Sequence, residues 1–109
     1  MKEKPPISLW EETLAALKEN GKDWDNVYWI GVKNFQIYKK DFEKWSKEIV
    51  YRPWMFGGNM IDVDLTLYGF DFILIRWEYD GSEGWSFRPN HPPLMYKMAD
   101  SPEVLLQKY

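Results

Sequence analysis

The 109-residue chain contains no cysteine. That absence excludes disulfides, thiol nucleophiles and cysteine-ligated zinc. It has one histidine, His91, so no cluster of imidazoles is available to a metal or a catalytic relay. No apolar run approaches the ~20 residues of a membrane-spanning helix. The opening MKEKPPISLWEE lacks the apolar core of a signal peptide, so the expected compartment is the cytoplasm, with no membrane partner. A basic excess is also missing: 14 Lys and Arg against 17 Asp and Glu leave a net charge of −3, which argues against a nucleic-acid partner. Gly57-Gly58-Asn59 has no lysine and leads into a predicted strand, so it is not a phosphate loop.

Aromatic residues are what the chain has in excess. Seven Trp, seven Tyr and six Phe make up 18% of it, within an ordinary globular balance of 45% hydrophobic and 28% charged residues. Most serve to build a small core from large side chains. Those left at the surface are the residue types that anchor interfaces. Length and composition predict a single domain over 1–109, with residues 1–6 as a frayed lead-in.

Ser8 and Glu11 have the capping-box spacing and open a helix. Trp10, Leu14 and Leu17, flanked by Thr13 and Ala16, form its inward stripe, while Glu11, Glu12, Lys18 and Glu19 are expected to point away. Asn20-Gly21 ends it. Val27–Gly31 and Phe35–Tyr38 read as a hairpin, and residues 40–48 as a short second helix with Phe42 and Trp45 inward and Asp41 as a candidate cap. Beyond Pro89 the tail, residues 90–109, is stiffened by proline and ends in a short helical turn opened by Ser101-Pro102-Glu103.

Between these lies a meander. Ile61, Val63, Leu65 and Leu67 alternate with polar residues, Phe72 to Tyr79 is rich in β-branched and aromatic residues, and Trp85 to Phe87 follows a turn over Asp80–Gly84. A three-residue loop over 69–71 would place Leu67 opposite Ile73, Leu65 opposite Ile75, Val63 opposite Trp77 and Ile61 opposite Tyr79. That register keeps every apolar pair on one face. Trp85 and Phe87 would join that face, leaving Asp62, Asp64, Arg76, Glu78, Ser86 and Arg88 on the other. The predicted fold is therefore α+β: an antiparallel sheet of about five strands, hairpin plus meander, with both helices on one face.

Three carboxylates on that polar face, Asp62, Asp64 and Glu78, are the weak candidates for a metal site or for acid–base work. Neutralisation by Arg76 and Arg88 on an exposed sheet face accounts for them without any function. His91, in the rigid Pro89-Asn90-His91-Pro92-Pro93 loop, has no partner in sequence that would make it catalytic. No catalytic residue, resident metal or cofactor is therefore expected. Trp54, Met55 and Phe56 in the loop before the meander, with Tyr96 and Met98 in the tail, are the candidate interaction surface.

The run Arg76-Trp77-Glu78-Tyr79-Asp80-Gly81-Ser82-Glu83-Gly84-Trp85 resembles a group of small uncharacterised bacterial and prophage proteins. These share an R-x-E-Y-D-G-S-E-x-W stretch, and Gly31 to Ile37 is similar to a second segment of theirs. The resemblance implies an accessory or phage-related protein and brings no activity with it. The leading expectation is a non-catalytic protein-interaction module that acts by occupying a partner protein's surface. A small-molecule or carbohydrate-binding domain with Trp54 and Trp85 as stacking platforms is the alternative. A carboxylate- and metal-dependent hydrolase is the third. A homodimer formed through an edge strand or the aromatic patch would also cover exposed apolar surface.

Overall fold

Ser8 accepts the amide of Glu11 at 3.0 Å and Glu11 accepts that of Ser8 at 3.2 Å, so the predicted capping box starts the first helix. A computed structural model describes residues 5–52, 61–79, 82–89 and 97–106. In chain order these form β1 (Ile7–Ser8), α1 (Leu9–Glu19), a 3-10 turn (Trp24–Asn26), β2 (Val27–Val32), β3 (Phe35–Ile37), α2 (Lys39–Glu48) and β4 (Val50–Tyr51). β5 (Thr66–Gly69), β6 (Phe72–Tyr79), β7 (Ser82–Pro89), β8 (Lys97–Met98) and a 3-10 turn (Pro102–Leu105) follow. The fold is α+β, as the patterning predicts.

The main sheet runs β7-β6-β5-β2-β3-β8. Its first five strands are antiparallel, and β8 adds a short parallel edge beside β3. The hairpin turns at Lys33-Asn34, where Asn34 takes a φ of 72°, the left-handed conformation that asparagine tolerates. Gly21, also at 72°, ends α1 as expected. β1 and β4 form a separate two-stranded ribbon pairing Ile7 with Tyr51, which ties the end of α2 back to the start of α1.

Both helices lie over one face of the main sheet. Leu9, Leu17 and Phe42 pack there with Ile30, Ile37, Leu65, Leu67, Phe72 and Leu74. Trp24 stacks on Phe42 at 5.6 Å and meets Trp10 edge-on at 4.9 Å, so the loop between α1 and β2 closes the gap between the helices. Asp41 sits in the first turn of α2. Tyr38 occupies the cap position and supplies no side-chain cap.

The meander differs from its predicted register. Tyr68 pairs with Ile73 and Leu67 with Leu74, so β5 and β6 are joined by the two-residue turn Phe70-Asp71. The one-residue shift moves every β6 side chain to the other face. Phe72, Leu74 and Arg76 point toward the helices, while Ile73, Ile75, Trp77 and Tyr79 point away. The cause lies in β6 itself: Phe72-Ile73-Leu74-Ile75 is apolar on both faces, so either register pairs apolar with apolar. The expected strand over 61–65 is absent as well. Ile61 makes only an isolated bridge to Leu106, and β5 begins at Thr66.

β7 also starts earlier than predicted. Tyr79 pairs with Ser82 and Glu78 with Glu83, so Glu83 and Gly84 are strand residues rather than parts of a turn. Trp85 and Phe87 share the helix-covered face with Arg76 instead of with Trp77. Among the described residues the tail holds a 3-10 turn with Val104 and Leu105 buried, and Asp62 donates its amide to the Leu105 carbonyl at 3.1 Å.

Candidate functional site

Two places on the sheet gather polar or aromatic side chains, one on each face. The first surrounds Arg76, whose side chain is 0% exposed. Arg76 Nη1 donates to Glu12 Oε1 at 2.5 Å, and Nη2 donates to the Tyr51 hydroxyl at 2.6 Å and to Glu83 Oε1 at 3.1 Å. Tyr51 donates in turn to Glu12. Glu83 Oε1 also accepts the amide of Ile61 at 3.0 Å, and the guanidinium lies 5.0 Å from the Trp85 ring centroid. Trp85 Nε1 donates to Thr13 at 3.1 Å, so it is half-buried in this cluster and is not a free stacking platform.

Each member comes from a different element: Glu12 from α1, Tyr51 from β4, Arg76 from β6 and Glu83 from β7. Burial alone would lower the guanidinium's pKa. Tyr51, Glu12 and Glu83 outweigh that and raise it, so the charge is retained. Burial pushes the Tyr51 hydroxyl well above its ordinary value near 10, with Glu12 adding to the shift, although Arg76 opposes it. The hydroxyl donates to a carboxylate and accepts from a guanidinium, so it serves as a neutral bridge.

The raised Tyr51 pKa has a testable consequence. A tyrosine harder to ionise in the folded state contributes stability that is intact below the unfolded pKa. That stability falls as pH climbs above about 10, by roughly 1.4 kcal/mol per pH unit. Tyr51→Phe is expected to flatten this part of the alkaline stability profile, read by urea denaturation between pH 8 and 11. An unchanged slope in the variant would show that Tyr51 ionises as freely folded as unfolded.

The second place is the face turned away from the helices. Trp29 and Tyr68 meet edge-on at 4.9 Å and pack with Ile73 and Ile75. The Trp29 ring lies across Gly31, where an added Cβ would stand 2.4 Å from it. Trp77 lies over Gly84 in the same way, at 2.9 Å, and keeps 42% of its surface exposed. Beside this group opens a cavity of about 360 Å³, lined by Trp29, Lys33, Asp64, Thr66, Tyr68 and Ile75 among others. A neighbouring cavity of about 500 Å³ shares Lys33, Val63 and Asp64 and reaches Phe35, Asp62 and Val104. The two form one cleft between the β2–β3 turn and the turn over residues 62–64.

The expected carboxylate face is not assembled. Asp62 and Asp64 lie in the turn before β5, where Asp62 Oδ1 accepts the Asp64 amide at 2.8 Å. Glu78 belongs to β6, across from Glu83, and Arg76 is buried on the helix side instead of facing Asp64. Among the described residues no three acidic or histidine side chains are placed to hold a metal ion. Ser86 and Arg88 lie on the face opposite the helices, in β7. Trp54, Met55, Phe56, His91 and Tyr96 lie outside the described residues. Met98 belongs to β8, its backbone paired with Gln36.

Sequence reasoning missed Glu12, Tyr51 and Glu83 as partners of Arg76, and Trp29, Lys33, Thr66 and Tyr68 as lining the cleft. A signal for the second set was present: Tyr68 and Thr66 occupy the alternate period of a strand whose neighbour is apolar on both faces. None of the described helices is long and apolar enough to cross a membrane. No family model, no curated protein and no solved structure matches the chain.

Proposed function

We propose that this chain is a non-catalytic protein-interaction module that acts by occupying a partner protein's surface. The observation that carries this reading is the row of side chains β6 presents away from the helices. Along it Ile73 is buried, Ile75 is partly buried, Trp77 is 42% exposed and Tyr79 is 76% exposed. The row thus runs out of the core into an aromatic surface. Its neighbours on β7, Ser82, Gly84 and Ser86, are too small to cover it. Trp and Tyr on a rigid strand anchor interfaces well, because they bring large area at little entropic cost. The resemblance of the 76–85 run to prophage proteins agrees with an accessory role of this kind.

The test is affinity capture from the native host with mass spectrometry, comparing the parent chain with Trp77→Ala/Tyr79→Ala and with Trp54→Ala/Phe56→Ala. Loss of a central aromatic anchor weakens an interface by about 2 kcal/mol or more, roughly thirtyfold. A specific partner should therefore disappear from at least one variant. Identical capture by all three proteins would sink the proposal. A second reading, a small-molecule-binding domain, is favoured by the cavity beside Trp29 and Tyr68, whose volume falls in the ~300–1,000 Å³ range of ligand pockets.

A further inference from the structure

The ammonium groups of three lysines in the fold are engaged. Lys22 pairs with Asp71 at 3.2 Å, Lys47 with Glu43 at 3.2 Å, and Lys39 donates to the Trp24 carbonyl at 2.8 Å. Lys33 differs. It stands at the tip of the β2–β3 hairpin, exposed and with no polar partner among the described residues, although it lines the same cleft as Asp62 and Asp64. The Asp64 carboxylate is likewise exposed and unpaired among them. Opposite charges thus line one cleft without pairing with each other. Beside them the lining is apolar and aromatic: Trp29, Tyr68 and Ile75 from the sheet and Val63 from the turn.

A cleft of this kind suits a molecule that carries both charges close together and an apolar group beside them. We propose that it binds a free α-amino acid with an apolar side chain. Its ammonium faces Asp64, its carboxylate faces Lys33, and its side chain lies against Trp29, Tyr68 and Ile75. The proposal rests on the small-molecule reading and narrows it to one chemical class. An uncharged sugar would leave both charges unanswered. A nucleotide would bring more negative charge to a cleft that holds two carboxylates and one ammonium. A zwitterion matches Lys33 and Asp64 one to one, and the cavity of about 360 Å³ leaves room for an apolar side chain.

The probe is L-leucine, titrated against the full chain and followed by tryptophan fluorescence and by amide shifts of Gly31, Lys33 and Thr66. Saturable binding that shifts these amides is expected. N-acetyl-L-leucine, L-leucinamide and glycine, which lack the ammonium, the carboxylate and the apolar side chain respectively, should each bind at least tenfold more weakly. Asp64→Asn should erase the preference over N-acetyl-L-leucine, and Lys33→Met the preference over L-leucinamide. Both substitutions fall on exposed turns, so the folded state survives them. Absence of a saturable response to L-leucine up to about 10 mM would overturn the inference, as would equal binding of the blocked analogues. If a sugar or nucleotide shifted the same amides while L-leucine did not, the inference would fail and the small-molecule reading would stand.

Discussion

Replacing Arg76 with methionine is expected to lower the unfolding free energy by about 3–5 kcal/mol, measured by urea denaturation at neutral pH. The guanidinium donates to Glu12, to Glu83 and to the Tyr51 hydroxyl. Glu83 is itself almost fully buried. Methionine fills a similar volume but leaves the Glu83 carboxylate facing an apolar side chain. Taking the guanidinium away from a buried carboxylate costs more than the lost pair contributed. Adding Glu83→Gln removes that charge and keeps an acceptor for the Ile61 amide. The double variant should therefore recover part of the loss, with a coupling of about 1–3 kcal/mol. Strictly additive losses would mean that Arg76 and Glu83 are not energetically linked.

Phe42→Ala should be comparably damaging, at about 3–5 kcal/mol. Its ring is fully buried, stacks on Trp24 and fills the junction of α2 with the sheet. Truncation leaves a cavity whose walls belong to regular elements and cannot readily collapse. Tyr38→Ala, four residues earlier on an exposed ring, should change stability by no more than about 0.5 kcal/mol. A loss below about 1 kcal/mol for Phe42→Ala would contradict the packing of α2 described above.

These two residues mark the boundary of what could be read from sequence. Phe42 sits at helical spacing from Trp45 and Ile49, and a periodic stripe on a short helix has only one way to face a core. The Ser8–Glu11 cap and the Gly21 stop are local in the same sense, since the residues that satisfy each other lie within three or four positions. Arg76 is the opposite case. Seen along the chain it is a charged residue in an amphipathic strand, and the natural inference places it in solvent. Its hydrogen-bond partners lie at positions 12, 51 and 83. Glu83 stands across the same hairpin, but no local pattern links Arg76 to Glu12 or Tyr51.

The same limit governed the register. With apolar residues at four successive positions of β6, the sequence permits two pairings with β5 that differ by one residue. Only the surroundings discriminate between them. One register sends Arg76 into solvent and covers Trp77 and Tyr79; the other buries Arg76 beside two carboxylates and leaves the aromatics at the surface. The second is adopted because α1 and β4 deliver Glu12 and Tyr51 to the guanidinium.

The α+β class, both main helices, the hairpin and the three-strand meander are thus legible in local patterning, because propensity, capping and hydrophobic periodicity act over a few residues. Tertiary structure alone decided which face of β6 meets the helices, how Arg76 is neutralised, and that Lys33 and Asp64 line one cleft. Those outcomes turn on Glu12, Tyr51 and Asp64 meeting residues tens of positions away, where burial and charge balance can only be evaluated once the chain has folded.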